Sequence, residues 1–172
     1  MTRWIDPSPI EVPASFSSLG LHPLIAQTLL RRGINRPKEA EAFLHPDKTP
    51  STPFPEIEKA TEILRLAMRK NEMICVWGDF DVDGQTSTAL LVQTLQLLGA
   101  DVLYYVPVRG KESHGIHLES LKRIIDNGAK LILTCDTGIT AHEAIEYANS
   151  RGVDVVVTDH HDLGKTLPNA KA

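Results

Sequence analysis

A chain of 172 residues with 42% hydrophobic content can bury one proper core and carry a small appendage. Its formal net charge of -4 gives no general attraction to nucleic acid, so any such binding has to be local. No apolar run approaches the roughly 18 residues that a membrane-spanning helix needs, and the opening MTRWIDPSPIEVP has no apolar signal region; the expected location is the cytoplasm.

Residues 1 to about 70 hold most of the prolines and read as a helical arm. PLIAQTLLRRG closes on Gly33, and PKEAEAFL opens with Pro37 at a first-turn position. EIEKATEILRLAMRK places Ile57, Ala60, Ile63, Leu64 and Ala67 at helical spacing. The intervening HPDKTPSTPFP is too rich in proline for regular structure. Trp4, Phe16, Phe43 and Phe54 are expected to pack within this arm rather than stack on bases.

From Asn71 onward the pattern changes. MICVWGD, DVLYYVPV, AKLILTCD and VDVVVTD read as strands, and QTSTALLVQTLQLLG, LESLKRIIDNG and AHEAIEYANSRG read as helices closing on Gly99, Gly128 and Gly152. Strands apolar on both faces and separated by helices imply a parallel sheet covered on both sides. The expected class is α/β: a doubly wound, mainly parallel sheet over 71–172, preceded by the helical arm over 1–70. Cys75 and Cys135 sit far apart inside apolar segments and read as buried thiols of a reduced protein, not as a disulfide or a zinc site.

The polar residues fall where such a sheet gathers its ligands. The first strand runs into Asp79, Asp81 and Asp83, the third into Asp136, and the fourth into Asp159 followed by His160 and His161. In an open parallel sheet the crevice lies beyond the carboxyl ends of the strands, so these residues are expected to share one site. If WGDFDVDG leaves its strand extended, the period of two puts all three of its carboxylates on one side. A single strand-end aspartate is as readily explained as an N-cap for the next helix; the whole set with two histidines is not. Carboxylates with one or two imidazoles suit Mn²⁺ or Mg²⁺, and their number suggests two cations sharing a bridging group, the arrangement that cleaves phosphate esters.

DFDVDG, TCDTGIT and VTDHH, in this order, resemble the first three motifs of the DHH phosphoesterase superfamily. Within it, GDFDVDGQTSTALL, LGADVLYYVPVRGKESHGI and VVVTDHHDLGKTLPNAKA are similar to the RecJ family of single-strand-specific 5′ to 3′ exonucleases. LLRRGINRPKEAEAFLHP and PFPEIEKATEIL look like that family's N-terminal lead-in, so the resemblance covers nearly the whole chain. It implies a metal-dependent nuclease of DNA repair and recombination that acts on single-stranded DNA, with a helicase or a single-strand-binding protein as potential partners. It also implies roles for residues. Asp81 and Asp83 fall on the metal-binding pair of the first motif, Asp136 on the bridging aspartate, and His160 on the metal-ligating histidine. His161 falls toward the scissile phosphate, with Asp159 orienting the histidine pair. Asp79 either substitutes for a histidine ligand that other branches place near Trp77 or simply caps.

In VRGKESHGIH, family members show an arginine followed by a Gly-Tyr-Gly type turn. Here Arg109 is present, with Ser113, His114 and Gly115 in place of that turn. Arg109 offers forked donors for a substrate phosphate, with His114 and Gly115 beside it, whereas for Lys111 and Glu112 a solvated loop of mixed charge is as ready a reading. His22, His45, His117 and His142 lie outside the motifs. A fourth motif aspartate and a second domain are expected after LPNAKA, so the chain reads as a fragment of a longer RecJ-like protein, with an exposed sheet edge and reduced metal affinity. Two other readings remain at this point. One is a DHH-type hydrolase of oligoribonucleotides, cyclic dinucleotides or pyrophosphate, against which the long arm before Met73 speaks. The other is an inactive replication scaffold of the same fold, which the retention of Asp81, Asp83, Asp136, His160 and His161 disfavours.

Overall fold

Pro23 and Pro37, which have no N–H to leave unpaired in a first helical turn, open the first two helices, α1 (Pro23–Arg31) and α2 (Pro37–Leu44). His22 caps α1 by accepting the Leu24 N–H on Nδ1 at 3.3 Å. In this computed structural model, residues 3, 5, 7–48 and 54–172 are described. Trp4 and positions 49–53 of the proline-rich loop lie outside the described residues. The chain divides into two compact units, residues 1–53 and 54–172. The first buries Phe16, Ala26, Leu29, Leu30 and Ala40 around a 3₁₀ turn, Ala14–Leu19, that the sequence does not announce. Phe43 departs from the packing expected of it: it is 54% exposed, with the Arg32 guanidinium 5.8 Å from its ring. A second short 3₁₀ turn, Pro46–Lys48, occupies the start of the stretch read as irregular.

The second unit begins with α3 (Ile57–Arg69) and continues through β1 (Ile74–Trp77), α4 (Val82–Leu97), β2 (Val102–Tyr105), α5 (Leu118–Asp126), β3 (Leu131–Thr134), α6 (His142–Ser150) and β4 (Asp154–Val156). All strand pairs are parallel and the order is β2-β1-β3-β4, with Ile74 opposite both Val102 and Leu131, and Leu131 opposite Asp154. The period of two sorts each strand between two layers. Ile74, Val76, Leu131, Leu133 and Val156 pack with α3 and α4, whereas Cys75, Trp77, Ile132 and Val155 pack with α5 and α6. Helices on both faces make this the doubly wound α/β fold expected. Burial pushes the Cys75 thiol up to about 12, which leaves it an inert packing group.

Three differences from the sequence reading bear on function. α3, grouped with the arm on its sequence, inserts Ala60, Ile63, Leu64, Ala67 and Met68 into the layer beneath the sheet. α4 starts at Val82 rather than Gln85, because Asp81 accepts the Gly84 N–H at 3.0 Å and so caps the helix early. The edge beyond β4 is partly covered: Lys171 N–H donates to the Val155 carbonyl at 2.7 Å and Val157 N–H to the Ala172 carbonyl at 2.9 Å. Ala170 packs with the α5 and α6 layer and Ala172 with the α3 and α4 layer, so this segment does not keep the period of two of a regular strand. Between β1 and β3 the connections change direction, β1 leading to one edge and β3 to the other. That switch point is where a crevice opens at the carboxyl ends of the strands.

Candidate metal centre

Asp136 follows β3 by two residues and stands at the switch point. Cys135 N–H still bonds to the Trp77 carbonyl and Asp136 N–H to the Thr158 carbonyl, so neighbouring strand ends hold its backbone from both sides. Its φ is 61°, the left-handed region that a non-glycine residue adopts at a cost and that aspartate tolerates better than most. The side chain is 5% exposed. Oδ1 lies 2.8 Å from His160 Nε2, while Oδ2 is buried with no hydrogen-bond partner among the described residues. One ligand atom each from Asp136, His160 and His161 lie within 4.8 Å of one another.

Asp159 organises the histidines. Its Oδ1 accepts the backbone N–H of His160 at 2.7 Å and of His161 at 3.0 Å, and pairs with His161 Nδ1 at 2.7 Å. Oδ2 accepts the Ile139 N–H at 3.0 Å, which ties the segment after β4 to the loop after β3. Burial works against its charge, but these backbone donors and the imidazole outweigh it and hold the carboxyl below its usual range. The same contact raises the pKa of His161. Asp159 thus fixes the ring of His161, whereas the ring of His160 goes to Asp136.

The three aspartates of WGDFDVDG do not line up along an extended strand, because β1 ends at Trp77 and α4 begins at Val82. Asp79 is 1% exposed; it accepts the Phe80 N–H at 2.6 Å and meets His114 Nδ1 at 2.6 Å. Trp77, fully buried against Tyr105 with ring centroids 4.5 Å apart, is a packing residue. Asp81 caps α4 and brings its charge beside Asp136. The Gly84 N–H leads the effects that lower its pKa, and the neighbouring Asp136 carboxyl adds to them. Asp83 sits in the first turn of α4 and lines a cleft of about 450 Å³ shared with Asp136 and His160, outside the tight group of ligand atoms. Phe54, expected to pack, is 62% exposed on the same cleft.

A second cleft of about 560 Å³ is lined by Asp79, His114, Gly115, Thr137, Asp159 and His161. Asp136 and Asp159 border both clefts, and of the two only Asp136 has a carboxylate oxygen without a partner among the described residues. Arg109 lies in neither; its guanidinium sits 4.5 Å from the Phe80 ring centroid, and Phe80 in turn contacts His114 at 4.2 Å between centroids. Glu112, for which a solvated loop position and a role are equal readings of the sequence, is a hub. It accepts from the Tyr105 hydroxyl at 2.6 and 2.8 Å, the Ser120 hydroxyl at 2.8 Å and the Val108 N–H at 3.3 Å. Its partners lie on β2 and α5, so no local pattern signals them. Phe80, one apolar residue among aspartates, carries no signal of its contact with Arg109 either.

These residues fit a divalent cation. Burial raises the pKa of Asp136, and the His160 bond opposes that while the Asp81 charge adds to it. A buried carboxylate crowded by a second one, with one oxygen unpartnered, is an unfavourable arrangement that a cation relieves. Oxygen donors with imidazole nitrogens match hard and borderline cations of the Mn²⁺ kind, and neither cysteine contributes a thiolate to the group.

A doubly wound sheet whose strand ends gather an Asp-x-Asp pair, a lone aspartate and an Asp-His-His triplet defines the DHH class, and the chain belongs to the DHH family: the pattern of the DHH family N-terminal domain matches residues 73–172. Its relatives are specific. The chain is 41% identical over 153 residues to the single-stranded-DNA-specific exonuclease RecJ of Escherichia coli (strain K12), covering 88% of this chain and 26% of that protein. To RecJ of Bacillus subtilis (strain 168) it is 37% identical over 169 residues, 96% of this chain and 22% of that protein. A crystal structure of exonuclease RecJ bound to manganese superposes with a TM-score of 0.66 at 40% identity, over 69% of this chain and 31% of that one. RecJ in complex with Mn²⁺ from Thermus thermophilus gives 0.62 at 34% identity, over 91% of this chain and 22% of that one. The chain therefore spans between 22% and 26% of the length of these two curated relatives.

Proposed function

We propose that this chain supplies the metal-holding part of a phosphodiesterase that removes nucleotides from the 5′ end of single-stranded DNA in repair and recombination. The observation that carries the reading is the buried Asp136 carboxylate, with one oxygen on His160, the other without a partner among the described residues, and two clefts that it lines. The names of the relatives, single-stranded-DNA-specific exonucleases, support the substrate class, and the manganese in the two superposed structures supports the metal. Asp136, bordering both clefts, suits a bridging ligand between two Mn²⁺ or Mg²⁺ ions, with His160, Asp81 and Asp83 completing the set that this chain offers. The location is the cytoplasm, and a helicase or single-strand-binding protein would present the DNA end. Among the described residues no helix is long and apolar enough to cross a membrane.

When bound, the cations would acidify a water and neutralise charge on the phosphoryl oxygens. The protein's own work is positioning. His161 has Nδ1 committed to Asp159, which leaves Nε2 for an oxygen of the scissile phosphate, and its raised pKa favours the charged ring that can donate there. Asp159 keeps that ring fixed through a carboxylate already held by backbone donors, so little reorganisation is needed on substrate binding. Arg109 supplies a guanidinium for a neighbouring phosphate.

The test is Mn²⁺-dependent nucleotide release from 5′-labelled and 3′-labelled single-stranded DNA by the full-length protein that contains this sequence, with Asp136→Asn as control. Asparagine tolerates the left-handed backbone at this position, so the fold is kept. The expected result is release from the 5′ end and a loss of at least about 10-fold in metal affinity and rate, the effect of removing even an outer partner of a metal ligand. Undiminished turnover by the variant would refute the site, and release from the 3′ end alone would refute the polarity.

A further inference from the structure

The loop between β2 and α5 is a braced structure rather than a solvated excursion. Glu112 uses both carboxylate oxygens on groups from three places: the Tyr105 hydroxyl at the end of β2, the Ser120 hydroxyl in the first turn of α5, and the Val108 N–H within the loop itself. The Tyr105 and Ser120 oxygens lie 2.8 Å apart with their protons committed to Glu112, and Arg123 donates to Ser120 at 2.9 Å. Burial opposes the charge of Glu112, yet the Tyr105 and Ser120 hydroxyls and the Val108 N–H hold its carboxyl below the usual range. A lone backbone bridge joins Arg109 to Glu112. At the far side of the same loop, His114 is tied to the buried Asp79 at 2.6 Å.

What this bracing holds in place is Arg109. Its guanidinium lies over the ring of Phe80, which stands between two aspartates of the first motif in sequence, and it makes no ion pair among the described residues. An arginine beside several carboxylates would ordinarily fold onto one of them. A guanidinium held over an aromatic face instead keeps its N–H donors unspent for an incoming anion, and the contact limits where the group can swing. A long, exposed arginine on a loose loop loses rotamer freedom when it captures a phosphate; one already held by its loop and its aromatic partner loses less.

We infer that Glu112 is a positioning residue: by locking the 108–115 loop to β2 and α5 it presents Arg109, held over the Phe80 ring, as a pre-organised receptor for a backbone phosphate of single-stranded nucleic acid. The phosphate partner rests on the function proposed above; the bracing of Arg109 by Glu112 does not. Tyr105 and Ser120 belong to the same device at one remove.

Two readouts on this chain separate these parts. The first needs neither metal nor DNA. In the wild type the Arg109 side-chain protons lie over the Phe80 ring and should resonate upfield by its ring current. Glu112→Ala should return them to ordinary positions, Tyr105→Phe should do so in part, and Glu112→Gln, which keeps one acceptor oxygen, should retain most of the shift. Circular dichroism at the same temperature establishes that each variant is folded. The second readout is binding of a ten-residue oligothymidylate. Glu112→Ala and Arg109→Ala should each weaken it about tenfold, and each should lower the slope of log affinity against log salt by about 0.7, the value for one lost phosphate contact on a single strand. If folded Glu112→Ala keeps the upfield Arg109 resonances, or binds the oligonucleotide as the wild type does, the inference is overturned. Absence of binding by the wild type itself would count against the proposed function and the phosphate partner, while the ring-current comparison would still decide whether Glu112 holds Arg109.

Discussion

At the scale of single residues, the site runs on carboxylates whose environments differ sharply. Asp81 is eased by the Gly84 N–H at the start of a helix, Asp159 by several backbone donors, and Asp136 by almost nothing beyond one imidazole. The Asp159–His161 pair has a measurable pH signature. The pKa of Asp159 is lowered, so its contribution to stability is complete above the usual carboxylate value of 3.8 and is lost as pH falls through the folded value. That of His161 is raised, so its contribution is complete below the usual 6.5 and is lost as pH rises through the folded value. The pair is therefore worth most between these two limits. In metal-free buffer, Asp159→Asn should lower the melting temperature most within that window, with the gap to wild type narrowing on either side. A gap independent of pH would show that the charges are not what binds the two segments.

At the scale of elements, the tight passage from β1 into α4 shapes the first motif. Gly84 is the third residue of α4, and a Cβ there would come within 2.5 Å of the Asp79 carbonyl oxygen and 2.6 Å of its backbone carbons. Backbone cannot yield as a flexible side chain does. Gly84→Ala should therefore cost about 1–3 kcal/mol, typical of overpacking, despite the better helix propensity of alanine. It should also displace Asp79 from His114, seen as loss of the His114 side-chain hydrogen bond by NMR. Denaturant unfolding gives the energy; a stabilised Gly84→Ala would mean that the strand-to-helix turn is looser than its geometry shows. The same turn explains how Asp81 can cap a helix and still bring its charge beside Asp136: a helix that starts directly after an aspartate gains a cap from it, and the crevice lies beside it.

At the scale of the molecule, the two compact units have separate apolar cores, one around Phe16, Leu29 and Leu30, the other on both faces of the sheet. Separate cores permit separate unfolding. Phe16→Ala should remove about 3–5 kcal/mol from the first unit and leave the amide resonances of β1 to β4 in place. Loss of the sheet resonances together with those of the first unit would show one cooperative body instead. All the residues proposed to act on phosphate or metal lie in the second unit, so the same variant should leave Mn²⁺ titration shifts at Asp136 and His160 unchanged.

Much of this was legible along the chain because the relevant signals are local. Apolar runs of strand length, separated by helices that close on glycines, specify a doubly wound sheet; strand-end aspartates converge because such a sheet has one crevice; the order of the three motifs narrows the family. Register and helix starts were less legible: whether α4 began at Val82 or Gln85 depended on which N–H Asp81 would accept, a competition between cap and extended strand that tertiary packing resolves. Least visible were the contacts between distant segments. Nothing near Glu112 announces Tyr105 and Ser120 as its partners, nothing near Phe80 announces Arg109, and nothing near Ala170 and Ala172 places them against opposite sheet layers. By itself the sequence determined the class of fold and the donor atoms available for metal. The tertiary structure alone decided which carboxylate is left with an unpartnered oxygen and which loop is braced, because burial and hydrogen-bond partnership are properties of groups brought together from far apart in the chain.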